Sequence, residues 1–209
     1  MAIQARAPAP VEQCPALDSG DRLDREEFER RYAIRTDVAK AELVQGVVYV
    51  ASPVRSQQHG QPHAMLITRL GIYRESHSGV ILDDNAAWRV PGGSEVQPDA
   101  MLRYSRAAGG GSWIDDDGFV AGVPELVAEV AASSASYDLH DKRELYRAAG
   151  LREYVVWRTE DGAIDWWTLE GEEYIALEPG AGGMLASGVF AGLELNVALL
   201  LRLLRESAG

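Results

Sequence analysis

Apolar positions recur along the chain with helical spacing in some stretches and as short strand-like runs in others. Leu23, Phe28 and Tyr32 lie at roughly helical spacing and predict a short amphipathic helix over Asp24 to Arg35. In SQQHGQPHAMLITRLGIYRES, Leu66, Leu70 and Tyr73 fall at i, i+4 and i+7, and Pro62 suits the first turn of what should be the main helix. DLHDKRELYRAAG predicts a further helix, with Asp138 as N-cap and Gly150 as its stop. Between these, AELVQGVVYVAS reads as a hairpin bent at Gln45-Gly46, and GVILDD, AAWRV and EVQPDAMLRY read as strands set apart by Gly, Pro and Asn. VPELVAEVAA is apolar enough for a buried strand. EYVVWR and AIDWWTLEGEEYIAL, joined by TEDG, read as a meander, and GLELNVALLLRLLRE ends in a short apolar helix. AAGGGSWIDDDG is glycine-rich but lacks the spacing and the Lys-Ser/Thr of a phosphate-binding loop, so a linker is expected there.

Helices alternating with groups of strands predict an α/β (α+β) fold with a mixed central β-sheet flanked by helices and a C-terminal β-meander. A chain of 209 residues, 46% hydrophobic and 25% charged, can bury a core. One domain over 21–209 is expected, preceded by a loose Ala- and Pro-punctuated arm over 1–20. No apolar run approaches the roughly 18 residues of a membrane span, and the N-terminus has no apolar signal core. The lone Cys14 makes neither an internal disulfide nor a thiolate zinc cage, so a cytoplasmic protein is expected. Lys+Arg 20 against Asp+Glu 32 gives a net charge of −12. That balance weighs against a broad phosphate-neutralising surface, unless a local basic strip is set in an acidic remainder.

Four residues stand out as candidate chemistry. Glu129 lies among Val127, Ala128, Val130 and Ala131, where an unpaired charge is expensive and calls for a cation, a proton or several donors. An ion pair with an arginine would answer equally well. Asp99 follows Pro98 at the start of an apolar run, as in many ordinary turns, but two acidic residues beside strand irregularities are also how a hard divalent cation acquires oxygen ligands. Lys142 falls on the apolar stripe Leu139, Lys142, Tyr146, Ala149, where it either snorkels or meets a buried carboxylate. Glu42 opens a strand. His59 and His63 stand at i, i+4, but with Gly60 and Pro62 between them and no third ligand evident, helix-start and surface roles are expected rather than zinc. Alternation puts Trp166 and Trp167 on opposite faces, one in the core and the other a candidate contact.

These residues carry a resemblance. Pro98-Asp99, Pro124-Glu125-Leu126-Val127 with Glu129-Val130, then Asp138, Lys142, Tyr146, Gly150 and Glu153-Tyr154 follow a linked pattern. Upstream stand Glu42-Leu43 with Gly46, Ser52-Pro53 and His59. In this order, over roughly residues 25 to 200, the chain resembles the Uma2 family (also called DUF820), bacterial proteins assigned to the PD-(D/E)XK nuclease superfamily. The superfamily's lysine position, two residues after the glutamate, holds Ala131; Lys142 is the stand-in from the following helix. The family's Ser-Pro-Ser stretch is Ala132-Ser133-Ser134, and its acidic residue before Gly46 is Gln45.

The resemblance implies a restriction-endonuclease-like fold and a metal-dependent endonuclease acting on DNA. Asp99, Glu129 and the Val130 carbonyl would hold Mg²⁺ or Mn²⁺. Lys142 would orient a water or stabilise transition-state charge, and Glu42 would serve a second metal or the first ion's waters. A homodimer is expected, since duplex cleavage needs two sites and Leu199–Leu204 leaves apolar surface to cover. Two alternatives stay open: a catalytically silent binding or regulatory subunit, and a metal-dependent hydrolase of a small phosphorylated substrate.

Overall fold

The computed structural model describes residues 15–53, 55–132 and 135–206. Cys14, most of the expected arm and the Ser133-Ser134 pair lie outside them. The end of that arm is docked, with Leu17 buried and the Gly20 N–H bonded to the Val48 carbonyl at 2.8 Å.

Helix α1 (Arg25–Ile34) starts where Asp24 accepts the Glu27 N–H at 2.9 Å. The hairpin β1 (Ala41–Val44) and β2 (Val47–Val50) turns through Gln45 and Gly46, whose φ angles of 50° and 80° match the twist a two-residue turn must follow. A π turn, Ser56–Gly60, runs directly into α2 (Gln61–Glu75). Then come β3 (Val80–Asp84), β4 (Trp88–Val90), β5 (Ser94–Val96), β6 (Ala100–Tyr104), β7 (Ser112–Ile114), β8 (Val120–Gly122) and β9 (Leu126–Ala131). The turn α3 (Ala135–Tyr137), a π turn at Asp138–Lys142 and α4 (Arg143–Ala149) form one continuous helical stretch. It stops at Gly150, whose φ of 82° favours glycine. The meander β10 (Glu153–Arg158), β11 (Ala163–Glu170) and β12 (Glu173–Ala176) precedes β13 (Met184–Ala186), β14 (Glu194–Asn196) and α5 (Val197–Glu206).

The central sheet runs β12-β11-β10-β9-β6-β3 and is mixed, with β9 and β10 parallel and the other neighbours antiparallel. Both of its faces are covered. Ala128, Val130, Val155, Trp157 and Trp166 pack on one side with Leu66 and Leu70 of α2 and Leu200 of α5. Val127, Ala131, Tyr154, Val156 and Trp167 pack on the other with Leu145 and Tyr146 of α4. Trp88, Val90, Val96 and Val44, from a second six-stranded sheet ordered β2-β1-β5-β4-β8-β7, complete that side. The outer face of the second sheet buries Leu43 and Val48 against Phe28 of α1.

Several expectations are corrected here. EVQPDAMLRY is two strands rather than one: β5 belongs to the second sheet, β6 to the central one, and Gln97-Pro98-Asp99 carries the chain between them. Proline, lacking an N–H, suits a crossing where no ladder hydrogen bond is needed. AAGGGSWIDDDG contains β7 and so is not simply a linker. Asp138 does not cap a helix, because the helical stretch begins at Ala135 and the π turn carries Asp138 inward. Trp166 and Trp167 do face opposite ways, but both are buried, since the central sheet has no bare face.

Between α1 and β5 the second sheet carries a strained acid. Glu95 is buried, and one of its oxygens, Oε2, accepts no hydrogen bond. Burial pushes its carboxyl up to about 8, reinforced by a hydrogen bond and charge from Glu29 and opposed by Arg89 and Arg25. The folded protein therefore holds this proton up to about pH 8, while the unfolded chain releases it near 4.5. Its stabilising effect is complete below pH 4.5 and is lost as pH rises through 8. We predict that Glu95→Gln, compared with wild type by thermal unfolding, gains roughly 2–6 °C in relative melting temperature between pH 4.5 and 8.5. A difference that does not change with pH would disprove the assignment.

Candidate active site

Strand alternation sets the site. Along β9, Ala128 and Val130 face the α2 side, so Val127, Glu129 and Ala131 face the second sheet and α4. On β1, Glu42 shares a face with Val44, which packs into that same interior. Glu129 and Glu42 thus approach each other from two sheets, and Lys142 comes between them from the π turn.

The resulting cluster is dense. Lys142 Nζ donates to Glu42 at 2.9 Å and to Glu129 Oε1 at 2.9 Å, with Asp138 Oδ1 at 3.7 Å. Tyr146 donates its hydroxyl to Glu129 Oε1 at 3.0 Å, and Tyr137 to Glu42 at 3.4 Å. Glu42 also accepts the Gln97 N–H at 2.7 Å, which ties β1 to the crossing between the sheets. The Asp99 N–H points to Glu129 Oε2 at 3.3 Å, and Asp99 Oδ2 accepts the Val130 N–H at 2.7 Å. Glu42, Asp99, Glu129, Asp138 and Lys142 are all buried.

One ammonium among three carboxylates leaves negative charge in excess. Burial pushes Glu129 up to about 8; Lys142 works against that rise, and the nearby Asp99, Asp138 and Glu42 add to it. Lys142 is itself held well above its ordinary value, because Glu129, Glu42 and Asp138 outweigh the burial that would discharge it. For Asp99 burial acts upward, but the hydrogen bond from His59, the charge of Lys40 and the Val130 N–H hold it well below the usual carboxylate range. Burial and the neighbouring Glu129 push the Tyr146 phenol far up, so it remains a neutral donor.

The structure therefore brings Asp99, Glu129, Val130, Lys142 and Glu42 together. It also adds residues for which the sequence had suggested other roles. His59 and His63, expected at a helix start or on the surface, reach Asp99: His59 Nε2 lies 3.0 Å from Oδ2, and His63 Nε2 lies 3.0 Å from the Asp99 carbonyl and 3.1 Å from Asp84. Their signal was present, because 59, 63, 66, 70 and 73 form one unbroken helical stripe, and the core half of it was recognised. Asp138 also carried a signal, standing one helical turn before Lys142 at the i, i+4 spacing of an ion pair; Tyr137 carried none. Lys40, 3.5 Å from Asp99 Oδ1, precedes β1 outside any periodic pattern.

The donor set suits a hard cation. Asp99 Oδ1 is buried and accepts no hydrogen bond, Glu129 Oε2 faces Asp99, and in an extended strand the Val130 carbonyl lies on the same edge as its N–H, toward Asp99. Among the described residues no three His, Cys, Asp or Glu side chains are grouped as a metal cage. Mg²⁺ is commonly held by one or two carboxylates, with waters and substrate phosphates filling the rest, and that demand fits two carboxylates and a main-chain carbonyl.

Comparison with known proteins agrees with this architecture. A crystal structure of "a putative nuclease belonging to DUF820" from Anabaena variabilis matches with a TM-score of 0.66, covering 87% of this chain and 99% of that one at 14% identity. A likeness at that identity carries the fold. No curated protein matches the chain. Residues 25–198 match the model of the Uma2 family, described as "putative restriction endonuclease". The chain belongs to the Uma2 family.

Proposed function

We propose that the chain is a metal-dependent nuclease that hydrolyses phosphodiester bonds in DNA, with Asp99, Glu129 and the Val130 carbonyl as ligands of Mg²⁺ or Mn²⁺. The observation that carries this reading is a linked set drawn from separate elements: the Asp99 N–H reaches Glu129, and Lys142 joins Glu129 to Glu42. A surface ion pair has no need of that convergence. Such an ion supplies a polarised phosphate and a bound water of lowered pKa.

The chain's own groups do the rest. Tyr146 and Lys142 fix Glu129 Oε1, leaving Oε2 turned toward Asp99. Glu42 is pinned by the Gln97 N–H and by Lys142, where it can orient a water beside the ligands. Lys142 bridges Glu129 and Glu42 and holds both side chains in place. One observation favours the silent alternative: Asp99 Oδ2 and Glu129 Oε1 are already met by His59, Val130, Lys142 and Tyr146.

Calorimetric titration with Mn²⁺ and Mg²⁺ decides between them. Wild type is expected to bind, and Asp99→Ala and Glu129→Ala are each expected to lose binding and plasmid cleavage. Tyr146→Phe removes only a prop of Glu129 and should weaken metal binding by roughly 10–100-fold. A folded wild type that binds neither ion would overturn the metal reading and leave the silent subunit. Removing the central cation has a separate expected effect. Lys142→Met strands three buried carboxylates and should cost about 3–5 kcal/mol in urea denaturation. Wild-type stability in that variant would mean that the carboxylates carry protons of their own.

A further inference from the structure

The two lysines at the site stand in different surroundings. Lys142 is 3% exposed and enclosed by Glu42, Glu129 and Asp138, with the Tyr137 ring 5.2 Å away. It cannot reach a phosphate without abandoning the charges it neutralises. Lys40 is 26% exposed and lies at the rim. Its carbonyl accepts the Ala51 N–H at 2.9 Å, so the backbone is anchored to the hairpin while the partly exposed side chain turns toward Asp99. Among the described residues Asp99 is the one group its Nζ engages, at 3.5 Å, beyond ordinary hydrogen-bond reach. The oxygen it faces, Oδ1, accepts no hydrogen bond and is the one best suited to a cation.

We propose that Lys40 is the phosphate-binding cation of this site: it balances Asp99 while no metal is bound and contacts the substrate phosphate once a divalent ion takes Oδ1. The proposal rests on the nuclease reading and assigns within it a residue outside the ligand set. A divalent ion on Asp99 removes the attraction that holds Lys40 there and repels its ammonium. The four-carbon stem lets Nζ turn outward to a phosphate oxygen on the same ion. In a protein of net charge −12, a cation fixed beside the ligands supplies locally what the surface as a whole lacks.

The test uses Lys40→Met, which keeps the stem and removes the charge, and Lys40→Arg, which keeps the charge. Calorimetry with Mn²⁺ reads the metal site. Fluorescence anisotropy of a labelled DNA oligonucleotide in Ca²⁺, over a series of salt concentrations, reads phosphate binding without relying on turnover. Lys40→Met should bind Mn²⁺ as tightly as wild type or more tightly, since a competitor for Asp99 is gone. Its affinity for DNA should fall about tenfold, and the dependence of log affinity on log salt should flatten by about one ion. Lys40→Arg should retain most of both. Unchanged DNA binding in Lys40→Met would overturn the assignment, and so would loss of Mn²⁺ binding, which would make Lys40 a structural member of the cluster. A wild type that binds Mn²⁺ but no DNA would overturn the DNA reading and Lys40's role with it; a wild type that binds DNA but no Mn²⁺ would overturn the exchange at Oδ1.

Discussion

Glu129 sits in the middle of a strand whose two faces are both covered, where an ionised carboxylate loses several kcal/mol of hydration. Everything at the site answers that cost. Lys142 is drawn in from the π turn and brings Asp138, one helical turn away, with it. The ammonium also meets Glu42 from the other sheet, and Tyr146 adds a neutral donor. These groups relieve Glu129 only partly, because each carboxylate that Lys142 gathers adds negative charge. The deficit is met at the open edge, where His59, His63 and Lys40 collect around Asp99. A buried charge has thus organised a gradient, with carboxylates inside and cationic or titratable donors at the mouth.

That gradient bears on the acidity of the whole molecule. A net charge of −12 spread over a surface repels polyanions at long range, but repulsion between exposed charges fades over about 10 Å at ordinary ionic strength. Close to the site the local arrangement decides. The acidic composition and an anionic substrate are therefore compatible if the last few ångströms of approach are governed by the rim and by a metal ion.

Much of this was legible beforehand, and the failures have identifiable causes. The β9 strand, the α2 stripe and the inward face of Lys142 follow from periodicities long enough to register. The division into two sheets escaped, because strands such as β4 can be read without showing what they pair with, and β7 and β8 have three residues each, too few for alternation to show. Pro98 was recognised as an irregularity, but a sequence does not say that the strands on its two sides join different sheets. The helical stretch starts at Ala135, upstream of the expected start, so Asp138 looked like a cap when it is the i, i+4 partner of Lys142. At α2 the helix-start placement of His59 and His63 agrees with the structure; what escaped is that the stripe they continue also carries both rings to Asp99. The residue pattern supplied the candidates and the resemblance to Uma2 their expected roles; the contacts among them came only with the third dimension.

The crossing at Gln97-Pro98-Asp99 also makes the site depend on both sheets. Glu42 and Lys142 are separated by 100 residues, and Glu42 is fastened to the Gln97 N–H across 55. Closing such long loops costs more chain entropy than closing local ones. With the second sheet undocked, Glu42 would be parted from Lys142 and from the Gln97 N–H. The complete cluster, Glu42 included, therefore exists only where sheet meets sheet, and its integrity reports on the docking of the two.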